Sequence, residues 1–268
     1  MSGLSAGHRP DVRRDVRRDV RCDCWRDRRR DAWWLLAGLL VLIAWEASGG
    51  DLWLGLRYGD ATGFAWRDAW LTSSLLHNGG RWLAWVLLAL LVWDVTRTRP
   101  SGPPRRERLY WLSATVAALV LVPTIKRFTS TSCPWDLLPF GGTVPYVPHW
   151  WLRALDGGPG HCFPSGHAVA AFAFFGVYFL WRPYRPVLAL AALAAVWLLG
   201  GVFGWAQMAR GAHFMSHTLW SAWACWAVCS AAAWGWTLQP VRLAAPARLL
   251  WSRRLERAKG IEPSLTPA

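Results

Sequence analysis

Four short segments hold residues able to do chemistry on an anion. Lys126 and Arg127 form a cationic pair. His161, Ser165, Gly166 and His167 lie in HCFPSGHA. Arg210 and His213 follow in ARGAHF, and Ser216 and His217 close the series. Two or three cations beside several imidazoles suit a phosphate ester. The cations hold its oxygens, and an imidazole can attack phosphorus or move a proton. The same residues without turnover would describe a membrane protein that binds or carries an anion. Paired histidines also raise bis-imidazole haem ligation. That needs two rings facing each other inside a bundle, whereas these stand at the ends of apolar runs. Cys and His are scattered, without the spacing of a zinc site. The expectation is therefore chemistry with no metal and no cofactor.

The elements that must position these residues are membrane helices. Of the 268 residues 54% are hydrophobic and only 17% charged, and 23 are Trp. A soluble domain is about one-quarter charged, so disorder as the main state and a small disulfide scaffold are both excluded. The net charge of +14 does not mark a nucleic-acid binder, because Arg is gathered into blocks between apolar runs. A spanning helix needs about 20 mostly apolar residues. Six stretches qualify as candidates: Ala32–Leu52, Gly79–Thr96, Leu109–Ile125, His167–Trp181, Pro186–Gln207 and His217–Leu238. The fold class is thus all-α, a polytopic helical bundle. Trp33, Trp34, Trp53, Trp82, Trp93, Trp111, Trp181 and Trp205 sit near proposed ends, as an interfacial belt would.

Orientation follows from Lys and Arg. Of the 30, 23 fall in residues 1–30, between spans two and three, between four and five, and after span six. By the positive-inside rule both termini are cytoplasmic. Trp53–Asn78, Lys126–Gly166 and Met208–Ser216 then share the outer face, so the four chemical segments meet at one membrane depth. The chain reads as a basic tail over 1–31, expected to be disordered near anionic lipid, a membrane domain over 32–238, and a basic cytoplasmic tail over 239–268. Trp66–Leu76 is expected as a short interfacial helix. Glu46 and Asp94 are expected to snorkel to the interface. His77, His149 and His161 could line the entrance to the site.

With these motifs the sequence resembles the type-2 phosphatidic acid phosphatase and vanadium haloperoxidase superfamily, over about residues 80–238. That family carries Lys, six residues, Arg-Pro; then Pro-Ser-Gly-His; then Ser-Arg, five residues, His, three residues, Asp. KRFTSTSCP, from Lys126 to Pro134, corresponds to the first, with Cys133 in place of Arg. Pro164–His167 is the second, unchanged. QMARGAHFMSH, from Gln207 to His217, corresponds to the third. Its family Arg falls at Gln207, and His217 stands where Asp is expected. The rival alignment makes His217 the nucleophile and needs an insertion. Membrane members of the family have six spans with an outer-face site.

The resemblance implies that His213 attacks phosphorus and forms a phosphohistidine. His167 would protonate the leaving oxygen and then activate water. Lys126 and Arg210, with Ser165 and the Gly166 amide, would hold the equatorial oxygens, and Arg127 would be the cation that replaces the missing Arg. Either His217 or Asp136 would orient His213, Asp136 being as well suited to capping its own turn. The reaction expected is hydrolysis of a lipid-linked phosphate monoester or pyrophosphate at the periplasmic face of a bacterial inner membrane, with membrane lipid and no nucleic acid as partners. Phosphoryl transfer to another acceptor, or anion binding without turnover, are the alternatives. Cys133 and Cys162 share the outer loop, where the compartment permits a disulfide. Two reduced thiols are the other possibility.

Overall fold

The computed structural model describes residues 12–150 and 155–238. The expected C-terminal tail, 239–268, and residues 1–11 lie outside them. The chain divides into two units after Ala233, and the fold that matters for the site is that of the first.

Helices dominate. In chain order they are α1 (Val12–Ala47), α2 (Gly50–Gly55), α3 (Gly79–Thr96), α4 (Arg105–Arg127), α5 (Val169–Phe172), α6 (Phe175–Trp181), α7 (Pro186–Ala209) and α8 (Met215–Leu238). A small antiparallel hairpin, β1 (Gly59–Asp60) and β2 (Gly63–Phe64), pairs Gly59 with Phe64. The basic segment is helical from Val12, where disorder was expected through residue 31. The DVRRDVRR repeat explains the difference, since it places Asp and Arg three and four apart, the spacing that supports a helix surface. Asp27 and Arg30 show that pairing at 3.1 Å.

Three helices among the described residues are long and apolar enough to cross a membrane: Leu71–Thr96, Arg105–Arg127 and Pro186–Ala209. The first begins as a π-helical stretch, Leu71–Asn78, continuous with α3. The interfacial helix expected over Trp66–Leu76 is therefore not a separate element from Leu71 onward. Val169–Trp181 is apolar but short. Large apolar side chains face outward, among them Leu40, Trp82, Trp85, Val187, Leu190 and Leu198, as a lipid-facing surface requires.

Packing is tightest where α5 and α6 meet α7. Phe172 and Phe175 stack at 5.5 Å, and Trp197 of α7 closes edge-on to Phe172. Gly200 makes this possible: a Cβ there would lie 2.2 Å from the Phe172 ring. Small residues of this kind let membrane helices approach closely. At the end of α6, Arg182 grips the buried Asp31 with two bonds of 2.8 and 2.9 Å, a fork geometry suited to guanidinium and carboxylate. Asp94 is likewise not a lone interfacial charge, for it pairs with Arg99 and Arg108.

At the opposite end, Phe64, Leu137, Phe140, Val144 and Phe214 form a compact apolar cluster. It joins the hairpin, the two 3-10 turns Pro134–Asp136 and Leu138–Phe140, and the segment before α8. This cluster is the floor on which the chemical residues are set.

Candidate active site

The residue that ends α7 determines where His213 goes. Gly211 has φ of 73°, the left-handed conformation that terminates helices. A Cβ there would also meet Phe64 at 2.2 Å. The N–H groups of Ala212 and His213 both turn back to the Gln207 carbonyl, at 2.8 and 3.2 Å. His213 is thereby folded over the end of α7 and is only 3% exposed. The next helix is anchored by Asp51, which accepts from the Ser216 N–H at 2.9 Å, from the Ser216 hydroxyl, and from Trp45 Nε1 at 2.8 Å. Asp51 thus acts as a borrowed cap for the first turn of α8. No motif signals it, because its partner is 165 residues away.

The disulfide Cys133–Cys162 ties the first motif to the second, with Cα atoms 5.1 Å apart. Two bonds run alongside it, His161 N–H to the Thr129 carbonyl at 2.9 Å and Cys162 N–H to the Thr131 carbonyl at 2.8 Å. The Ser165 N–H is taken by the His217 carbonyl at 3.0 Å, so it is not an open anion donor. Its hydroxyl is buried without a hydrogen-bond partner, and no acceptor is seen for the Gly166 N–H among the described residues. Pro164 does not open a helix as expected. The next helix starts at Val169, and Phe163–Pro164 is cis.

Lys126, at the end of α4, reaches this turn: a Cβ on Gly166 would lie 4.0 Å from its Nζ. The His167 and His213 rings stand 6.5 Å apart, centroid to centroid. His213 Nδ1 lies 3.4 Å from His217 Nδ1. Burial first, and then the Lys126 ammonium, hold the His213 imidazole well below its usual range, so it is neutral, as a nucleophile must be. Arg210 donates to the Arg67 carbonyl at 2.8 Å and to His77 Nδ1 at 3.0 Å. His77 Nε2 in turn lies 3.1 Å from His167 Nε2.

The structure therefore brings together Lys126, Ser165, Gly166, His167, Arg210, His213 and His217. Arg127 is exposed at the end of α4, and its side chain makes no hydrogen bond or ion pair among the described residues. Asp136 accepts from the Cys133 N–H at 3.2 Å and closes its own 3-10 turn, and it has no bond to a histidine. His161 is also exposed. Sequence reasoning undervalued three residues. His77 proves to be central. Glu46 does not snorkel but accepts from His149 Nε2 at 2.8 Å and from Trp220 Nε1 at 3.0 Å. His149 stacks on Phe163 at 4.1 Å and stands edge-on to His217 at 5.7 Å. Ligand-type atoms of Cys162, His213 and His217 lie within 4.8 Å of one another. Cys162 Sγ is committed to the disulfide, however, which leaves two histidines and no third ligand of that set.

A family model, the PAP2 superfamily, matches residues 108–239. This region belongs to the PAP2 superfamily. The match takes in the three segments that converge, and membership points to a phosphatase-type function. No curated protein and no solved structure matches the chain.

Proposed function

We propose that the chain is a membrane phosphatase that hydrolyses a lipid-linked phosphate monoester or pyrophosphate at the outer face of the membrane, through a phosphohistidine. One observation supports the reading: Lys126, the Gly166 turn, His167, Arg210 and His213 come from three separated segments and lie in one cluster, Arg210 reaching His167 through His77. In the reaction, His213 Nε2 attacks phosphorus in line, the bond to the leaving oxygen breaks, and His167 gives that oxygen a proton. Water then attacks the phosphohistidine, with His167 taking its proton. Lys126, Arg210, the Gly166 N–H and the Ser165 hydroxyl face the charge that develops on the equatorial oxygens. In this arrangement His213 Nδ1–H donates to His217 Nδ1, 3.4 Å away, and so leaves the His213 Nε2 lone pair free to attack. Six spans with cytoplasmic termini would put this site outside, and the apolar surroundings favour a lipid over a soluble ester.

The test is phosphate release by the purified protein from phosphatidic acid and from a polyprenyl pyrophosphate, beside His213→Ala. Turnover should survive a chelator, because cationic side chains supply the charge, and orthovanadate should inhibit as a trigonal-bipyramidal mimic. Activity abolished by a chelator and restored by magnesium would refute this mechanism. An anion-binding protein would release no phosphate at all.

A further inference from the structure

The disulfide ends beside the two histidines of the third motif. Cys162 Sγ lies 3.6 Å from His213 Nδ1, and His213 Nδ1 lies 3.4 Å from His217 Nδ1. The two rings stand edge-on with centroids 5.6 Å apart, well beyond the nitrogen separation, so their Nδ1 edges point toward one another. A tetrahedral zinc-type ion, with bonds of about 2.3 Å to sulfur and about 2.0–2.1 Å to nitrogen, sets nitrogen pairs about 3.4 Å apart and sulfur–nitrogen pairs about 3.6 Å apart. Both measured distances have those values. The third pair, Cys162 with His217, is within 4.8 Å, and rotation of a freed Cys162 side chain closes the remainder. Cys133 Sγ is bonded to Cys162 Sγ, so an open disulfide leaves a second thiol at the same place. Two thiolates and two imidazoles make a complete ligand set for zinc. Cys162, His213 and His217 are buried, and Cys133 is half-buried, which gives the metal a way in.

We propose that the chain with this disulfide open holds one zinc-type dication on Cys133, Cys162, His213 and His217, and that closing the disulfide keeps the metal off the nucleophile. The site needs only these four residues; its inhibitory consequence rests on the phosphatase reading. Charge explains why the thiols are required. Lys126 acts on both imidazoles, so two neutral rings alone would hold a dication beside an ammonium without compensation. Two thiolates cancel the ion's charge and are the soft donors that zinc accepts and magnesium does not. The newly made chain has these thiols before oxidation. A phosphine regenerates them by giving the sulfurs two electrons, while water supplies the two protons and leaves its oxygen on phosphorus. On binding, each thiol releases its proton to solvent. The metal occupies Nδ1 of His213 and of His217. His213, still neutral, then carries its one proton on Nε2, the nitrogen that has to attack phosphorus, and turnover stops. Without metal the Cys162 thiol can donate to the Ala212 carbonyl, 2.8 Å away, so reduction alone leaves His213 as it was.

Cobalt(II) reads the site without turnover, because thiolate ligands give it near-ultraviolet charge-transfer absorption and a tetrahedral field gives it intense visible bands. Full-length protein in detergent, reduced by a phosphine, should show both features with a Kd of about 1 μM or below, and zinc should abolish them. Oxidised wild type should show neither, nor should Cys133→Ala with Cys162→Ala, which keeps the other four of the six cysteines. For turnover, about 10 μM zinc leaves about one-tenth of such sites free, so kcat on a short-chain phosphatidic acid should fall about 10-fold in reduced wild type. The fall should be under about 2-fold in oxidised wild type and in the reduced double variant, the site being absent from both. A chelator should restore the reduced enzyme. Should the double variant fail to fold, oxidised wild type is the control, since Cys225 and Cys229 remain free thiols in it. Cobalt bands absent from reduced wild type, bands that persist in the double variant, or equal zinc inhibition of reduced and oxidised enzyme would each overturn the proposal. If reduced protein binds the metal and no form of the protein releases phosphate, the metal site stands and the phosphatase reading fails.

Discussion

Replacing Cys133 and Cys162 together by Ala should cost stability far more than activity. The bond spans a sequence separation of 29. In the chain-entropy description a loop of that size removes about 12 cal/mol/K from the unfolded chain, or about 3.6 kcal/mol at 25 °C. The folded loop, by contrast, has other supports. The Thr129–His161 and Thr131–Cys162 hydrogen bonds run beside the disulfide. Asp156 also accepts from Ser132 N–H at 2.6 Å and from its hydroxyl at 3.0 Å. Those contacts continue to present Lys126 and His167 once the protein is folded. Denaturant midpoints of wild-type, reduced and double-Ala protein, read with kcat at 25 °C, test this. The expected result is a loss of about 3–4 kcal/mol with kcat within a few-fold. A loss below about 0.5 kcal/mol, or free alkylatable thiols in non-reduced wild-type peptides, would refute the reasoning.

Three further outcomes follow from the site. His213 is held neutral by burial and by Lys126, so the unfolded chain binds more protons than the folded one below about pH 6.5. Its contribution to stability is full above that pH and is lost as pH falls, and a thermal midpoint that did not decline on acidification through this range, relative to His213→Asn, would count against it. Asp51→Ala strips the acceptor from two N–H groups and a hydroxyl and should cost about 2–4 kcal/mol, seen as a lowered denaturant midpoint, with kcat falling because the first turn of α8 carries His217. His217→Ala should lower kcat by about 10-fold or more at nearly constant KM, whereas His217→Asp, which restores an acceptor, should recover most of that loss. Equal kcat for His217→Ala and wild type would show that His213 is oriented by something else.

The pattern of apolar runs and Arg blocks made the helical membrane class legible, and the three motifs made most of the site legible. What escaped depended on distance in the chain or on geometry that composition does not encode. Asp51 looks like an ordinary loop acid until Ser216 is folded onto it. Glu46 reads as an interfacial charge until His149 and Trp220 arrive from far along the sequence. His77 was given no more than a place at the entrance, because a lone histidine near a helix end carries no pattern, and its approach to His167 depends on the fold. The opposite error has the same cause. Arg127 and Asp136 are of the right type and close in sequence to the site. Yet Arg127 is exposed at the end of its helix, and Asp136 satisfies the nearest orphan N–H.

On the alignment that makes His213 the nucleophile, His217 stands where the family pattern has a carboxylate, and its burial gives that exchange a physical logic. His217 is fully buried, boxed by the rings of Phe163 at 5.3 Å, Phe214 at 5.7 Å and His149 at 5.7 Å. A carboxylate in such a box would have to be balanced by a paired cation, or the cost of taking it from water would go uncompensated. Its immediate partner, His213, is neutral, and Glu46 already places one acid behind His149. A neutral imidazole supplies the one thing His213 needs on that side, an acceptor at 3.4 Å, without bringing a second buried anion. Lys126, which the family pattern also has, is a separate charge: it helps to hold His213 unprotonated and, in the proposed reaction, would meet the phosphate oxygens. On this reading His217 keeps the carboxylate's orienting role and gives up its negative charge.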